Sequence, residues 1–427
     1  MHQGRTVFAQ LADYLPRHVF NRCVERYGGN HRVRRMSCWD QYLIMMFAQL
    51  TGLESLREIA LGLQVQSEKL YHSGIRSAGA RSTLADANEN RDWRIFADFA
   101  QVLIREASEL YAGEAFGAEL DQTAYALDST TVDLCLTLFP WAMFRRTKAA
   151  VKLHTLLALQ GNYPTLVIIT PGKVHDVNIL DQIPFDAGSF YIMDRGYLAF
   201  ARLHRIHRQG AFFITRGKGN TQLDRRYSQP VDKDTGLRFD QTVLLSGVRS
   251  RLEYPDPLRR VGFTDLGTDK RLIFLTNNMD IPALTVAHLY RARWQVELFF
   301  KWIKQHLHIK AFFGISENAV KTQVWIAISV YVLVAILKKR FRLPHSPYTI
   351  LQILHLTLFE KTPILQAFAQ QPLHFHDHDT LNQLCFQGFL NRTVVISIHS
   401  SLHSPVTSWS LSLLWFGLCF QRQMQSV

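Results

Sequence analysis

Three acidic side chains lie in segments whose patterns could bring them together. Asp128 and Asp194 each end a short apolar run, in YALDST and FYIMDRGY, and Glu297 lies in YRARWQVELFFKWIK. An acid at the end of a strand stands at the edge of a sheet, where the sites of α/β proteins commonly form. Taken singly, an Asp at such a position is more often a turn or capping residue.

The segment that carries Glu297 has the spacing of one long helix, from near Pro282 to about Ile309. At about 100° per residue, four residues fall within about 60° of one another and two more flank them. The four are Tyr290, Arg293, Glu297 and Lys304, and the flanking two are Lys301 and Trp294. The alternative is a solvated stripe with an i,i+4 salt bridge between Arg293 and Glu297, worth about 0.2–0.5 kcal/mol. That alternative gives no role to the two strand-end acids.

Together, the three carboxylates could hold two divalent metal ions. Two such ions, about 3.5–4 Å apart, clamp the attacking and the leaving oxygen of a phosphodiester. Hard oxygen ligands favour Mg²⁺ or Mn²⁺. The basic residues on the same face of the helix would then contact phosphates beside the metals.

The charge of the chain favours a polyanionic partner. The chain has 427 residues, a formal net charge of +13 and 47% apolar residues. That apolar fraction excludes a mostly disordered chain, and the charge indicates nucleic acid or an anionic membrane surface. Residues 1–115 hold 14 basic and 13 acidic residues, whereas residues 195–260 hold 14 and 6. Arg145, Arg146, Lys148 and Lys152 form another basic cluster. We expect the clusters to contact DNA, although any single base is more often a solvated surface charge.

Cysteine spacing and hydropathy exclude several other classes. The 5 cysteines are widely spaced and form no CxxC pair, so a zinc finger or a disulfide scaffold is not expected, and a cytoplasmic location fits best. One run, Val324–Leu337, imitates a membrane span but is shorter than the roughly 20 residues that a bilayer requires. We expect a buried helix there and no membrane partner; membrane contact is the alternative.

The elements that position the candidate residues change type near residue 122. Before it, helical spacing recurs in Gln41–Leu50 and Trp93–Leu110, and Ser55 can cap a helix over Leu56–Leu63. After it, strands alternate with helices, which predicts an α/β layer. The predicted strands include Val151–Leu159, Thr165–Thr170, Phe190–Asp194 and Ala211–Thr215, and the predicted helices are Val177–Ile183 and Leu198–Arg208.

A β-rich insertion is predicted at 218–270. Gly, Pro and charged residues there separate short alternating runs such as Thr242–Leu245 and Leu258–Phe263, and Leu272–Thr276 returns to the core. Asp194 follows Asp128 by 66 residues, whereas Glu297 follows Asp194 by 103 residues. The second interval is longer than a minimal α/β core requires. The insertion accounts for the excess of roughly 50 residues.

These motifs resemble those of the insertion-sequence-four family of bacterial DDE transposases. The helix has that family's Tyr-x2-Arg-x3-Glu-x6-Lys pattern in Tyr290, Arg293, Glu297 and Lys304, while MDRGY and LDSTTVDL look like its second and first acidic motifs. The segments QLTGLESLREIA and RSTLADANENRDWRIF are similar to the helical N-terminal domain of one subgroup. The resemblance covers roughly residues 5–365.

The resemblance implies an α/β fold: a ribonuclease-H-like catalytic core with a β-rich insertion, plus an all-helical N-terminal domain. Asp128, Asp194 and Glu297 would be the catalytic triad and would hold two Mg²⁺, with Mn²⁺ able to substitute. Tyr290, Arg293 and Lys304 would position phosphates. The implied partners are double-stranded DNA, as terminal inverted repeats and target, and a second copy in a synaptic complex.

The implied activity is cut-and-paste transposition of the chain's own insertion sequence. Water, activated by one metal, would nick the transposon end, and the freed 3′-OH would attack the opposite strand and form a hairpin. After the hairpin opens, the 3′-OH would attack target DNA. The alternative function is that of a catalytically decayed protein that still binds transposon ends but does not cut them.

The expected domain boundaries follow from composition and the resemblance together. We expect a helical DNA-binding domain at 1–115, the catalytic core at 120–217 and 271–345, and the insertion at 218–270. A C-terminal helical region at 346–390 and an atypical tail at 391–427 complete the chain. The tail does not resemble the family's usual ending, which suggests a frame change or read-through.

Four smaller candidates remain. Trp294 could stack on an extruded base, but core packing is the favoured interpretation. Lys152 and His154 share one face of a strand and could approach the metals or the phosphate. His175-Asp176 could lie near the mouth of the site. The alternating His374, His376 and His378 could bind metal, although a flexible tail is the favoured interpretation.

Overall fold

Seven helices form the N-terminal part of the computed structural model, which describes residues 4–75, 79–114, 120, 122–265, 267–306 and 312–369. They are α1 (Val7–Ala12), α2 (Arg17–Arg26), α3 (Cys38–Leu50), α4 (Leu56–Val65), α5 (Ser67–Leu70), α6 (Arg81–Asn90) and α7 (Arg94–Tyr111). Ser55 accepts a hydrogen bond from the Glu58 amide at the start of α4, so the predicted cap is confirmed. Helix α3 starts with a capping box, in which Ser37 and Asp40 bond each other's backbone amides.

The next part of the chain forms a mixed sheet. Its elements are β1 (Ala124–Leu134), β2 (Met143–Arg145), β3 (Lys148–Ala158), β4 (Tyr163–Pro171), β5 (Phe190–Met193), α8 (Phe200–Arg208) and β6 (Phe212–Arg216). Five strands lie in the order β4-β3-β1-β5-β6, antiparallel among the first three and parallel from β1 to β6. This order and these directions are those of a ribonuclease-H-like core, so the predicted fold class is confirmed. The expected helix Val177–Ile183 is instead a 3₁₀ segment, Asp176–Gln182.

The strands expected between 217 and 270 extend that same sheet. They are β7 (Leu223–Gln229), β8 (Leu237–Leu245) and β9 (Leu258–Asp265), with the short helix α9 (Val248–Glu253) between the last two, and β10 (Lys270–Thr276) follows. Strand β10 pairs antiparallel with β6 through Phe274, Leu275 and Thr276. A continuous sheet of 10 strands therefore joins the insertion to the core.

In the described residues up to 369, five helices follow the sheet: α10 (Ala283–Ala292), α11 (Trp294–His306), α12 (Glu317–Arg340), α13 (Pro347–Thr357) and α14 (Ile364–Ala369). The single long helix predicted from Pro282 to about Ile309 is wrong, because the chain makes a tight turn at Arg293. There the Val296 amide bonds the Arg293 carbonyl, three residues back instead of four. Residues 307–309 lie outside the described residues.

Helix α12 is the central apolar element of the fold. It is the one helix among the described residues that is long and apolar enough to cross a membrane, but 94% of its apolar window is buried inside the protein. It packs against α3, α6 and α7 on one side and against β4 and α11 on the other. Tyr42 and Ser329 share a hydrogen bond of 3.0 Å, and the Tyr111 hydroxyl donates to the Ala335 carbonyl at 3.1 Å. This burial supports the predicted core helix.

Two layers of apolar side chains cover the sheet. One face, which includes Ala126 and Ile192, packs against α11, α12 and the N-terminal helices. The opposite face, which includes Leu127 and Met193, packs against Leu203 and Ile206 of α8. Because successive side chains of a strand point to opposite faces, the position of a polar residue along its strand decides which of the two layers it meets.

Candidate active site

Asp128 and Asp194 lie side by side on adjacent parallel strands. Leu127 of β1 is paired with Met193 of β5, so the two acids are the next residues in the same register. They follow Ala126 and Ile192 by two residues each, so they share the face of those residues and project toward α11. The expectation that Asp128 ends its strand is wrong, because β1 continues to Leu134. Asp194 does follow the last residue of β5, as predicted.

Arg293 joins two of the three acids. One terminal nitrogen of its guanidinium donates to Asp128 Oδ2 at 2.5 Å, and the other donates to Glu297 Oε1 at 2.5 Å. The side chains of Arg293, Asp128 and Glu297 are 14%, 21% and 33% exposed. The i,i+4 pair of the alternative interpretation therefore exists, but the same guanidinium also reaches an acid 165 residues away.

The other two residues of the helical pattern also contact the sheet. The Tyr290 hydroxyl donates to Asp194 Oδ1 at 3.4 Å, and the Lys304 ammonium donates to the Thr131 carbonyl at 2.8 Å. The Tyr290 ring packs against Phe274 of β10, with centroids 4.8 Å apart. Sequence reasoning missed Thr131, because a backbone carbonyl acceptor carries no signal in residue type.

Burial and like charge shift the pKa values in this cluster. Burial raises the pKa of Asp128 above its usual value, Arg293 opposes that rise, and the nearby Glu297 and Asp194 add to it. Burial lowers the pKa of Arg293, but Asp128, Tyr290 and Glu297 outweigh it and raise the value overall. Burial also raises the pKa of Tyr290 to about 12, so its hydroxyl remains a neutral donor. A buried carboxylate whose pKa is raised by two neighbouring carboxylates is a setting that a cation stabilises.

The donor set fits a divalent metal ion, but the side-chain positions require one change. All three acids offer hard oxygen ligands, and two of them stand next to each other on rigid strands. Within the part of the chain that the structure describes, no three potential ligands converge closely enough to hold an ion. The Arg293 guanidinium contacts the oxygens of Asp128 and Glu297 that an ion would use, so its movement is the change required.

A second polar cluster lies on the opposite face of the sheet. The Lys152 ammonium donates to the Val174 carbonyl at 2.9 Å and to Asp176 Oδ1 at 3.1 Å. His154 Nε2 shares a hydrogen bond of 2.9 Å with Thr170, while its Nδ1 is 3.7 Å from Asp176. Burial lowers the pKa of His154 to about 4, so the ring is neutral at pH 7. Lys152 and His154 do share a face, as expected. The Lys152 ammonium, which we expected to contact DNA, donates hydrogen bonds to Val174 and Asp176 instead.

Tyr197 lies between the two polar clusters. Its hydroxyl is buried and has no hydrogen-bond partner in the described part of the chain. Burial, and then the charges of Asp128 and Asp176, raise its pKa well above the usual value. The expected position of His175-Asp176 beside the site mouth stays a prediction, because Asp176 contacts Lys152 on the opposite face of the sheet.

Exposed aromatic and basic side chains lie on α11 and on the hairpin of β2 and β3. Trp294 is 37% exposed, so the favoured interpretation of core packing is wrong, and the ring is accessible to a base. Leu298, one helical turn further on, is equally exposed, and Lys301 is exposed on the same face of α11. Arg145, Arg146 and Lys148 are also exposed, on β2 and the turn into β3. The histidines at 374, 376 and 378 and the tail lie outside the described residues.

Comparison with known proteins identifies the class to which this site belongs. The family model described as "Transposase DDE domain" matches residues 119–333, which include all three acids. A second model, a domain of unknown function (DUF4372), matches residues 3–76. The chain belongs to the transposase DDE domain family, and it is therefore an enzyme that acts on DNA in transposition. DDE domains of this kind use divalent metal ions.

Three relatives place the chain more closely. It is 31% identical to the putative transposase y4zB of Sinorhizobium fredii over 296 residues, which are 68% of this chain and 81% of that protein. It is 34% identical to the probable transposase for insertion sequence element IS5377 of Geobacillus stearothermophilus over 210 residues, 48% and 54% of the two chains. It is 25% identical to the putative transposase for insertion sequence element IS4SA of Synechocystis over 306 residues, 69% and 79%. A piggyBac transposase synaptic complex with hairpin DNA aligns over 90% of this chain and 85% of that one, with a TM-score of 0.44 and 9% identity.

Proposed function

We propose that this chain excises and reinserts its own insertion sequence by cut-and-paste transposition, as a member of the insertion-sequence-four group. The observation that supports the proposal best is the convergence of three acids from separate segments, two of which share one basic side chain. Asp128 and Asp194 are neighbours in register, and Arg293 joins Asp128 to Glu297. A solvated helical stripe would not reach β1.

Asp128, Asp194 and Glu297 would hold two Mg²⁺ ions, with Mn²⁺ able to replace them. Bound at this place, the ions would supply electrostatic stabilisation to the attacking and the leaving oxygen of a phosphodiester. The strands fix the two aspartates before DNA arrives, whereas Glu297 approaches from α11. Glu297 can therefore move relative to the two aspartates only if the contacts of α11 with β1 and β3 change.

The residues around the acids would position DNA. Lys304 anchors α11 to β1 through the Thr131 carbonyl, and Tyr290 holds Asp194 by its hydroxyl. The exposed Trp294 would stack on an unpaired base, which is typically worth about 1–3 kcal/mol. Lys301, Arg145 and Arg146 would contact phosphates without reading sequence.

The first chemical step is hydrolysis at the transposon end. The oxygen of water forms a bond to phosphorus, the bond from phosphorus to the 3′ oxygen breaks, and a 3′-OH and a 5′-phosphate remain. The 3′-OH then attacks the opposite strand and forms a hairpin. Water hydrolyses the hairpin and frees the 3′-OH again, and this 3′-OH finally attacks target DNA. Every displacement is a phosphodiester exchange, so a single set of carboxylates serves them all.

The domain assignment is part of the proposal. Residues 1–115 would bind the terminal inverted repeats, 120–217 and 271–345 would form the catalytic core, and 218–270 would be the insertion. The C-terminal helical region would span 346–390. Two copies would pair two transposon ends in a synaptic complex, in the cytoplasm and on the nucleoid.

The test uses a plasmid that carries the DNA flanking this gene, with any inverted repeats found there. We expect cleavage at the repeats with Mg²⁺, no cleavage with EDTA, and no cleavage by an Asp194→Asn variant. A chain that binds the repeats in a gel-shift assay but never cuts them would be the decayed binding protein. Metal-independent cleavage, or equal cleavage by Asp194→Asn, would overturn the proposed site.

A further inference from the structure

Arg293 contacts the acids in an unusual way for a structural ion pair. Its two terminal nitrogens go to different carboxylates, one on β1 and one on α11. Its Nε is buried and has no hydrogen-bond partner within the described residues. A buried donor without a partner normally costs about 1–3 kcal/mol. The guanidinium is therefore held by charge and not by a complete set of hydrogen bonds.

The contacted oxygens are candidate ligands of a metal ion. Asp128 Oδ2 and Glu297 Oε1 each lie 2.5 Å from a guanidinium nitrogen. A Mg²⁺ ion stands about 2.0–2.1 Å from a carboxylate oxygen, so an ion and a guanidinium on the same oxygen are two cations a few ångström apart that repel each other. The guanidinium and the ion therefore compete for these two carboxylates.

We propose that Arg293 is a positioning residue that serves as the internal counter-ion of the acid cluster. It holds Asp128 and Glu297 together before a divalent ion arrives, and it gives up both carboxylates when the ion binds. The released guanidinium, still anchored beside the site by its backbone turn, then faces a DNA phosphate. This inference rests on the proposed function, because it assumes that the carboxylates bind divalent ions.

The exchange links two binding events. An ion must displace Arg293, so the apparent ion affinity of the free protein is lower than that of the bare carboxylates. A phosphate that takes up the displaced guanidinium lowers the cost of displacement, so DNA should tighten ion binding. By thermodynamic linkage, the ion tightens DNA binding by the same factor.

The test measures Mn²⁺ binding to the full-length protein by electron paramagnetic resonance of the free ion, without DNA. We expect Arg293→Gln to bind Mn²⁺ about tenfold more tightly than the unchanged protein. Arg293→Lys keeps the charge but lacks the two separated terminal nitrogens that reach Asp128 and Glu297, so its Mn²⁺ affinity should lie between the two. Circular dichroism confirms that each variant is folded before titration.

A matched control comes from α9. Arg249 forms an i,i+4 pair with Glu253 at 2.7 Å, as Arg293 does with Glu297, but it is 91% exposed and pairs with no second acid among the described residues. Arg249→Gln should leave Mn²⁺ affinity unchanged. If Arg293→Gln binds Mn²⁺ no more tightly than the unchanged protein, the counter-ion role is overturned.

The outcomes separate the inference from the proposed function. If neither the unchanged protein nor Arg293→Gln binds Mn²⁺, the carboxylates are not a metal site and both proposals fail. If both bind equally and Glu297→Gln abolishes binding, the metal site stands and only the counter-ion role fails. A second readout repeats the titration with repeat DNA. There the unchanged protein should gain several-fold in Mn²⁺ affinity and Arg293→Gln should gain little.

Discussion

Two arginines in this chain neutralise acids in opposite ways. Arg259 on β9 gives Nε and one terminal nitrogen to the two oxygens of Asp240, at 2.9 and 2.7 Å, and the other terminal nitrogen to the Ile281 carbonyl at 2.6 Å. Both side chains of this pair are 6% exposed. Arg293 divides its terminal nitrogens between two acids and leaves its Nε without a partner in the described residues.

The difference separates a pair that holds the fold from one that can be rearranged. Each of the three guanidinium nitrogens of Arg259 has an acceptor, and the pair ties β8 and β9 to the residues that precede α10. Breaking such a buried pair is costly because it leaves an uncompensated charge. The acids around Arg293 are partly open to solvent, and their positions suit an exchange of cations. Four measurements test this contrast.

The largest effect should come from Glu297→Gln. Removal of one carboxylate from a catalytic unit should lower the rate of DNA cleavage by at least about 10³-fold. The melting temperature should stay within a few degrees, because the residue is partly exposed. Glu253→Gln is the matched control, since it removes the carboxylate of an exposed i,i+4 pair with Arg249. Equal losses from both variants would contradict the assignment of Glu297.

Arg259→Met should show the reverse pattern. It leaves Asp240 charged and buried, which should lower the free energy of unfolding by about 3–5 kcal/mol, measured by urea denaturation. The double variant Asp240→Leu/Arg259→Met removes both charges and should recover at least half of that loss. A loss of Mn²⁺ affinity in the folded double variant would show that the two arginine pairs are not independent.

The buried His154 should give a pH effect of intermediate size. Its pKa is lowered to about 4 in the folded state, against about 6.5 when unfolded, so the unfolded chain binds more protons between these values. The free energy of unfolding should therefore fall by about 2 kcal/mol from pH 7.5 to pH 5 through this residue alone. In His154→Gln the pH dependence should be smaller by that amount. An unchanged pH dependence would show that the ring is accessible to protons in the folded state.

The smallest effect should come from Trp294→Ala. The loss of a stacking surface should weaken binding to repeat DNA about tenfold, within the range typical of base–aromatic stacking. Leu298→Ala removes an equally exposed apolar group from the same face and is the control. Fluorescence anisotropy of labelled DNA measures both. If both variants lose affinity equally, the face binds DNA through general apolar contact and not through the indole ring.

The class of fold and the grouping of the acids could be predicted from the sequence, because periodicity and motif order are local properties. The continuation of β1 past Asp128 could not be predicted. Polar residues after it, such as Ser129 and Thr130, weaken the strand signal, although β1 continues through them. Pairing with β3 decides the length of β1, and pairing is not visible in one segment.

The break at Arg293 and the exposure of Trp294 escaped prediction for a related reason. Ideal rotation of about 100° per residue assumes an uninterrupted helix, whereas α10 ends at Ala292 and α11 begins at Trp294. No Pro or Gly marks that break. The attachment of the insertion to the core through β6 and β10 is also a long-range pairing without a local signal.

The position of α12 has a consequence for the order in which the molecule is made. Helices α3, α6 and α7 are synthesised first, yet they bury their apolar sides against residues 317–340. At roughly 5–20 residues per second, a ribosome needs about 10–40 s to travel from the end of α7 to the start of α12. The N-terminal helices therefore wait for a late segment to complete their core. Maturation of the N-terminal helices is thus tied in time to synthesis of the segment that carries Glu297, which is translated just before α12.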